Sequence, residues 1–264
     1  MSKSGISSLA SSLILQSGIG SANLFGDNNI DTVSYSIPYN QISSITHSKD
    51  GSWAVNYNYT PTSSSSTSGS KEGGSNTSGS KEGGSSTSGS KEGDSTSGSK
   101  AGSTAATDTL QGIERLSFSD GVYVALDIAT PNQVAGAALA LLYAGFNSLP
   151  EAVTFGHWIA KADQINDSLT FDSSKLESLA QVMLTEFAPG GISNSDLVNT
   201  LYTNVVGHTP DFAELNQFTQ LINNGTYSQA GLFALAAESS LNTDHYATLV
   251  GNGLQYVPES GKLG

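Results

Sequence analysis

Apolar side chains alternate with polar ones along residues 24–59, stop for some forty positions, alternate again, and then recur at helical spacing from residue 130 onward. Val33, Tyr35 and Ile37 occupy alternate positions, and Trp53, Val55, Tyr57 and Tyr59 do so after the turn-forming Lys49-Asp50-Gly51. A period of two predicts strands with one apolar face. Pro38 ends the first run near Ile37, because proline has no N–H to give a central ladder. The pattern resumes from Thr109 through Leu116, Phe118, Val122, Val124 and Leu126, with Asp120-Gly121 as a turn between apolar runs.

Residues 61–106 break this pattern. SGSKEGGSNT, SGSKEGGSST, SGSKEGDST and SGSKAGST follow one another from Ser68 to Thr104, each with a lysine and most with a Lys-Glu pair, but with almost nothing apolar. Stacked units of this kind would gain no core in return for their ordering entropy, so the tract is expected to be a flexible linker, either native low-complexity sequence or an inserted spacer. For a flexible loop of 46 residues the length-dependent closure cost is about 3.4 kcal/mol. A packed sheet tolerates that, so residues 107–129 are expected to pair with 24–60 across the tract.

From Thr130 the period becomes helical. Thr130-Pro131-Asn132-Gln133 and Ser148-Leu149-Pro150-Glu151 read as helix starts, the first followed by Val134, Ala138, Leu141 and Leu142, the second by Phe155, Trp158 and Ile159. Further helices are predicted over 174–187, 195–206, 210–223 and 227–238, with another near 243–250. Leu142-Tyr143, Pro150 and Trp158 are echoed by Leu201-Tyr202, Pro210 and Phe218, at spacings of 59, 60 and 60 residues. That is the mark of a duplicated helical unit. In residues 1–23, Ile6, Leu9 and Leu13 suit one face of a short helix or cap, and residues 251–264 read as a tail. No apolar run is long enough for a spanning helix, so no transmembrane insertion is expected.

Charge narrows the partners. Residues 1–60 carry two cations and three carboxylates, 61–106 four of each, and 107–264 four and sixteen, for a net charge of -13. Such a surface repels phosphate, so no nucleic-acid partner is expected. The chain has no cysteine, which removes disulfides, thiolate metal sites and cysteine nucleophiles.

Candidate chemistry is sparse. Asp27, Asn28, Asn29 and Asp31 form a turn rich in oxygen ligands, which either caps its own backbone or contributes to a calcium site completed from elsewhere. Trp53, Tyr57 and Tyr59 either close the sheet core or stack on a sugar or a protein partner. His47, His157, His208 and His245 match no metal or catalytic spacing, there is no GxSxG elbow, and Asp163, Asp167 and Asp172 flank a helix end where capping explains them. No catalytic residues are assigned, and the chain is read as a non-enzyme.

The stretch LYTNVVGHTPDFAELNQFTQLINNGTYSQAGLFALAAES, from Leu201 to Ser239, resembles the DUF4214 helical domain of bacterial exported and surface proteins. Leu201, Tyr202, Gly207, Pro210, Asp211, Phe218, Gly225, Phe233 and Glu238 stand at matching places, while a looser copy around 138–187 keeps Leu142-Tyr143, Pro150, Trp158 and Glu186-Phe187. His208 replaces the arginine common at that turn, and the family brings no catalytic set. Gly26 to Tyr35 and Asp108 to Gly121 resemble the flank of RTX-type calcium-binding repeats in proteins exported by type I machinery, although the tandem GGxGxD repeats are missing. These resemblances imply an extracellular or cell-surface location.

The expected architecture is α+β: a cap or short helix over 1–23, a β-rich segment over 24–60, a linker over 61–106, a β segment over 107–129, a duplicated helical domain over 130–250 and a tail over 251–264. The expected function is non-catalytic assembly, adhesion or attachment through contacts with itself or another surface or matrix protein. The alternative is a carbohydrate-binding accessory module with a polysaccharide partner; a hydrolase with a nonstandard site ranks below both. Calcium is the one cofactor considered.

Overall fold

A computed structural model describes residues 13–18, 20–60, 103–166 and 170–259. The described residues form an α+β fold, with nine strands and seven helices in the order β1(Ile14–Gln16), β2(Asn23–Phe25), β3(Thr32–Tyr35), β4(Ile42–His47), β5(Trp53–Tyr59), β6(Thr104–Gln111), β7(Arg115–Phe118), β8(Tyr123–Ala125), α1(Val134–Phe146), α2(Ala152–Ile165), α3(Ser173–Phe187), α4(Asn194–Val206), α5(Phe212–Asn223), α6(Gln229–Glu238), α7(Ser240–Tyr246) and β9(Leu254–Tyr256). The short-helix reading of residues 1–12 and most of the repeat tract lie outside the described residues.

The chain winds between two sheets. One has the order β1-β3-β7-β8-β9 and the other β2-β6-β5-β4. Strands β1, β2 and β3 begin at Ile14, Asn23 and Thr32, a nine-residue step, and fall alternately in the first, second and first sheet. Each stacks in parallel on a later coil: β1 on β3, β2 on β6 and β3 on β7. Strands before and after the repeat tract therefore pair directly. Parallel coiling was not evident from the alternating pattern, which reads equally well as hairpins. Strand β4 with β5, and β7 with β8, pair antiparallel through short turns.

Differences from the expected boundaries follow from this winding. Residues 14–16 are a strand rather than part of a cap or short helix, and 104–106, read as linker, begin β6, while β2 starts at Asn23, one residue before the expected β-rich segment. Residues 254–256 are no loose tail either; β9 pairs antiparallel with β8, Tyr123 opposite Tyr256.

Two cores result. Val33, Leu116, Val124, Leu110, Val55 and Tyr57 belong to a core formed by side chains of both sheets. On the opposite side of β8, Ala125 joins the helical core around α1. Helix α1 is buried from Val134 to Leu142 and packs against α2, α4, α6 and α7. Its alanines let neighbouring helices approach on every side, the pattern of a helix enclosed by its own domain.

The start of α1 shows why a local cap signal misleads. Gln133 accepts the N–H groups of Ala129 and Thr130 through Oε1, tying off a turn, and the helix begins one residue later. Its real cap is Asp127, whose carboxylate accepts the Ala135 N–H and whose carbonyl accepts that of Gly136.

Helices α1 and α4 are both 13 residues long and begin 60 residues apart, as do α2 and α5. At that spacing Tyr202 falls on the position of Leu142, not Tyr143. The 59-residue pairing of the two Leu-Tyr motifs is thus one residue out of helical register. Tyr143 instead packs on Tyr246 of α7, ring centroids 5.3 Å apart.

Candidate interaction groove

Helices α4, α5 and α6 are held by capping that is plain in the sequence. Ser193 caps α4 through the Asp196 N–H, Asp211 and Glu214 form a reciprocal capping box on α5, and Ser228 caps α6 through the Gly231 N–H. Each such cap contributes about 1 kcal/mol. These ends fix the helices, but their packing is uneven. Helix α5 packs chiefly on α4 and buries none of its residues, whereas its counterpart α2 buries Phe155, Trp158 and Ile159.

The uneven packing leaves an apolar groove of about 390 Å³. Val198, Leu201 and Val205 of α4 line it, with Phe218 of α5 and Leu232 and Leu235 of α6. Leu235 is 41% exposed, while Leu232 is 5% exposed. Polar groups are confined to a few points. Tyr202, also in the lining, donates its hydroxyl to Glu214 Oε1 at 2.5 Å, and this bond raises the phenol to about 12. Glu238, another lining residue, accepts the Ser173 hydroxyl at 2.6 Å.

Other candidates have structural partners. Trp53 and Tyr57 are buried in the core formed by the two sheets and Tyr59 is half-buried, because the pleat turns positions 53, 55 and 57 inward. They do not make the open stacking platform considered from sequence. Trp53 stacks on His47 at 4.5 Å, and the Tyr57 hydroxyl donates to the Gly20 carbonyl at 2.8 Å. His157 bridges Glu186 and Glu259, and His208 meets the edge of Tyr202. Asp172 caps α3, Asp163 faces Arg115 at 3.6 Å, and Asp167 lies outside the described residues.

The Asp27–Asp31 turn is knitted to itself and to neighbouring coils. Asp27 Oδ1 accepts the backbone and side-chain N–H groups of Asn29. Asp31, fully buried, accepts the Leu13 N–H at 2.8 Å through Oδ1 and the Asp27 N–H through Oδ2. Asp108, just before the paired part of β6, repeats the device by accepting the Ala22 N–H at 2.9 Å. A calcium ion needs six to eight oxygens turned toward it, whereas both Asp31 oxygens are turned toward N–H donors. As folded, this turn does not fit the ion, and among the described residues no group of three or more acidic, histidine or cysteine side chains is placed to hold a metal.

One buried charged cluster was not foreseen. Arg115, the only arginine, pairs with Asp127, reaches toward Asp163, and lies 6.0 Å from the centre of the Tyr256 ring. Next to it Glu114 accepts the Asp31 N–H at 2.9 Å; burial pushes its carboxyl up to about 7 against the opposing pull of that bond and of Arg115. The cluster joins β7, the start of α1, α2 and β9. Arg115 Nη1 donates to Asp127 and to the Glu114 carbonyl, whereas the buried Nη2 makes no hydrogen bond among the described residues and meets Asp163 only at 3.6 Å.

The groove itself was missed. The signals were a pair of helices, α5 and α6, with more apolar side chains than one core face can hold, and the absence of any Lys or Arg from residue 176 to 259.

A family model described as a domain of unknown function, DUF4214, matches residues 181–246, from the latter half of α3 through α7. The groove lies wholly within this match. No curated protein and no solved structure matches the chain. Among the described residues, no helix is long and apolar enough to cross a membrane.

Proposed function

We propose that the chain is a non-catalytic attachment module of an exported or cell-surface bacterial protein, acting through protein contacts made by its helical half. The carrying observation is the apolar groove between α4, α5 and α6, whose walls are helices with capped N-termini. Apolar area left open beside packed helices gains free energy, about 25 cal/mol per Å², only when something covers it. Export is supported by the likeness of Gly26–Tyr35 and Asp108–Gly121 to the flank of calcium-repeat proteins, and a chain without cysteine is compatible with it.

The test is retention of the purified protein on the surface of cells that produce it, compared with Leu235→Gln. Saturable retention that the variant loses while unfolding normally supports the reading. Retention unchanged by the variant, or none at all, overturns it.

A further inference from the structure

We propose that the groove binds a cationic amphipathic segment of another protein, which seats a large apolar anchor in the kind of space that Trp158 fills in the first helical unit. This rests on the attachment reading and names its partner class.

The first argument is the comparison of the two units. Asn147 and Gly207 end α1 and α4 in the same left-handed conformation, 60 residues apart, and Trp158 and Phe218 stand at the same spacing on α2 and α5. Trp158 is 2% exposed and lies 5.5 Å from Phe187, which itself meets Phe146 at 4.7 Å. The indole thus closes its own unit. At the matching position Phe218 is smaller and half-buried, and its ring touches Tyr202 at 5.9 Å. Beyond it the groove stays open.

A second difference concerns cover. Helix α2 has β9 and Val257 laid against it so closely that a Cβ on Gly156 would collide with the Val257 carbonyl. At the corresponding place α5 carries Asn216, an exposed residue, and among the described residues no strand packs against α5 as β9 packs against α2. The second unit therefore lacks both devices that seal the first. A volume of about 390 Å³ lies in the range of pockets that enclose small ligands or anchor side chains.

Charge selects the occupant. Residues 176–259 hold eight carboxylates and no Lys or Arg, with Glu214 and Glu238 at the groove. A segment with lysine or arginine around an apolar anchor is attracted, and its encounter is steered. A second copy of this chain, at a net charge of -13, is repelled. Helix-walled grooves take amphipathic helices by this mode, with apolar anchors inward and charges at the rim.

The experiment uses the full chain and two fluorescein-labelled synthetic helices. One has a leucine stripe, a central tryptophan and lysines on its outer face; its twin carries glutamates in place of the lysines. Fluorescence anisotropy is expected to show saturable one-to-one binding of the lysine peptide, weaker at about 0.5 M than at about 0.05 M salt, and at least about tenfold weaker binding of its twin. Phe218→Trp leaves the net charge unchanged and fills the groove, so it should cost at least about tenfold in affinity without lowering the unfolding midpoint. Should that variant fail to fold, Leu235→Gln, at an exposed wall position, serves the same purpose.

Lysine-peptide binding indifferent to both substitutions is surface electrostatics and overturns the proposal, as does no binding of that peptide. Equal binding of the twins overturns the cationic partner class while leaving the attachment reading intact, since cell retention is measured separately. Preferential filling by dodecanoate, or a dimer that Phe218→Trp dissolves, also overturns it.

Discussion

Arg115 and Asp127 form an ion pair buried where the five-stranded sheet meets the helices, with side chains 4% and 5% exposed. The same Asp127 carboxylate caps α1 through the Ala135 N–H, so one aspartate anchors both a strand and a helix. Removing one partner of a buried pair leaves the other charge desolvated. Arg115→Met is therefore expected to destabilise the fold by about 3–5 kcal/mol. Urea unfolding measures it; a loss below about 1 kcal/mol would show that the pair behaves like a surface contact.

Glu114 should make stability depend on pH. Its folded carboxyl titrates at about 7 against an ordinary 4.5, because burial favours the protonated form. Such a group contributes stability that is complete below pH 4.5 and lost as pH rises through 7. Compared with Glu114→Gln, which keeps an acceptor for the Asp31 N–H, the native chain should lose up to about 3 kcal/mol between pH 4 and pH 8. Urea midpoints of both proteins across that range are the measurement, and a difference that does not vary with pH refutes the assignment.

Gly156→Ala tests the seam between α2 and the last strand. The added methyl meets the Val257 carbonyl, backbone that cannot swing aside as a side chain would. A cost of about 1–3 kcal/mol is expected. It should appear first as faster hydrogen exchange of the Val257 N–H, which donates to Ala152 at 2.9 Å. Unchanged protection there would mean that the strand is held elsewhere.

Asp31 and Asp108 bind neighbouring coils through backbone N–H groups, so chelation of calcium should leave the unfolding midpoint where it was. Asp31→Ala orphans the Leu13 and Asp27 N–H groups and should cost about 3 kcal/mol. A midpoint that climbs on adding calcium, and no longer does so in Asp31→Ala, would put a cation in the turn after all.

What could be read from the sequence was local. Alternation at 53, 55 and 57 identifies β5, and the predicted helices over 174–187 and 195–206 fall within a residue of α3 and α4, since serine and aspartate caps sit beside apolar stripes. Strands β1 and β2 are three residues each, too short for alternation to register. Their nine-residue step gains meaning only once parallel stacking is known. The cap of α1 escaped for a similar reason: Asp127 reaches it across a turn, outside the four-residue window of a capping box. The groove showed in the pattern only as a surplus of apolar side chains on α5 and α6; its place and shape arise from what α5 fails to contact.

Strand β9 bonds to β8, with Tyr123 and Tyr256 directly opposite, and helices α1 to α7 intervene in sequence. A nascent chain emerging from the ribosome thus exposes the flank of β8, and the Arg115 side chain awaiting Tyr256, until residues 254–257 have been synthesised. Pairings so distant along a chain are slow to form, and the unfinished edge is prone to wrong partners meanwhile. Completion of the sheet therefore comes late in folding, after all seven intervening helices have been made, and any process that must handle this protein unfolded has that interval in which to act.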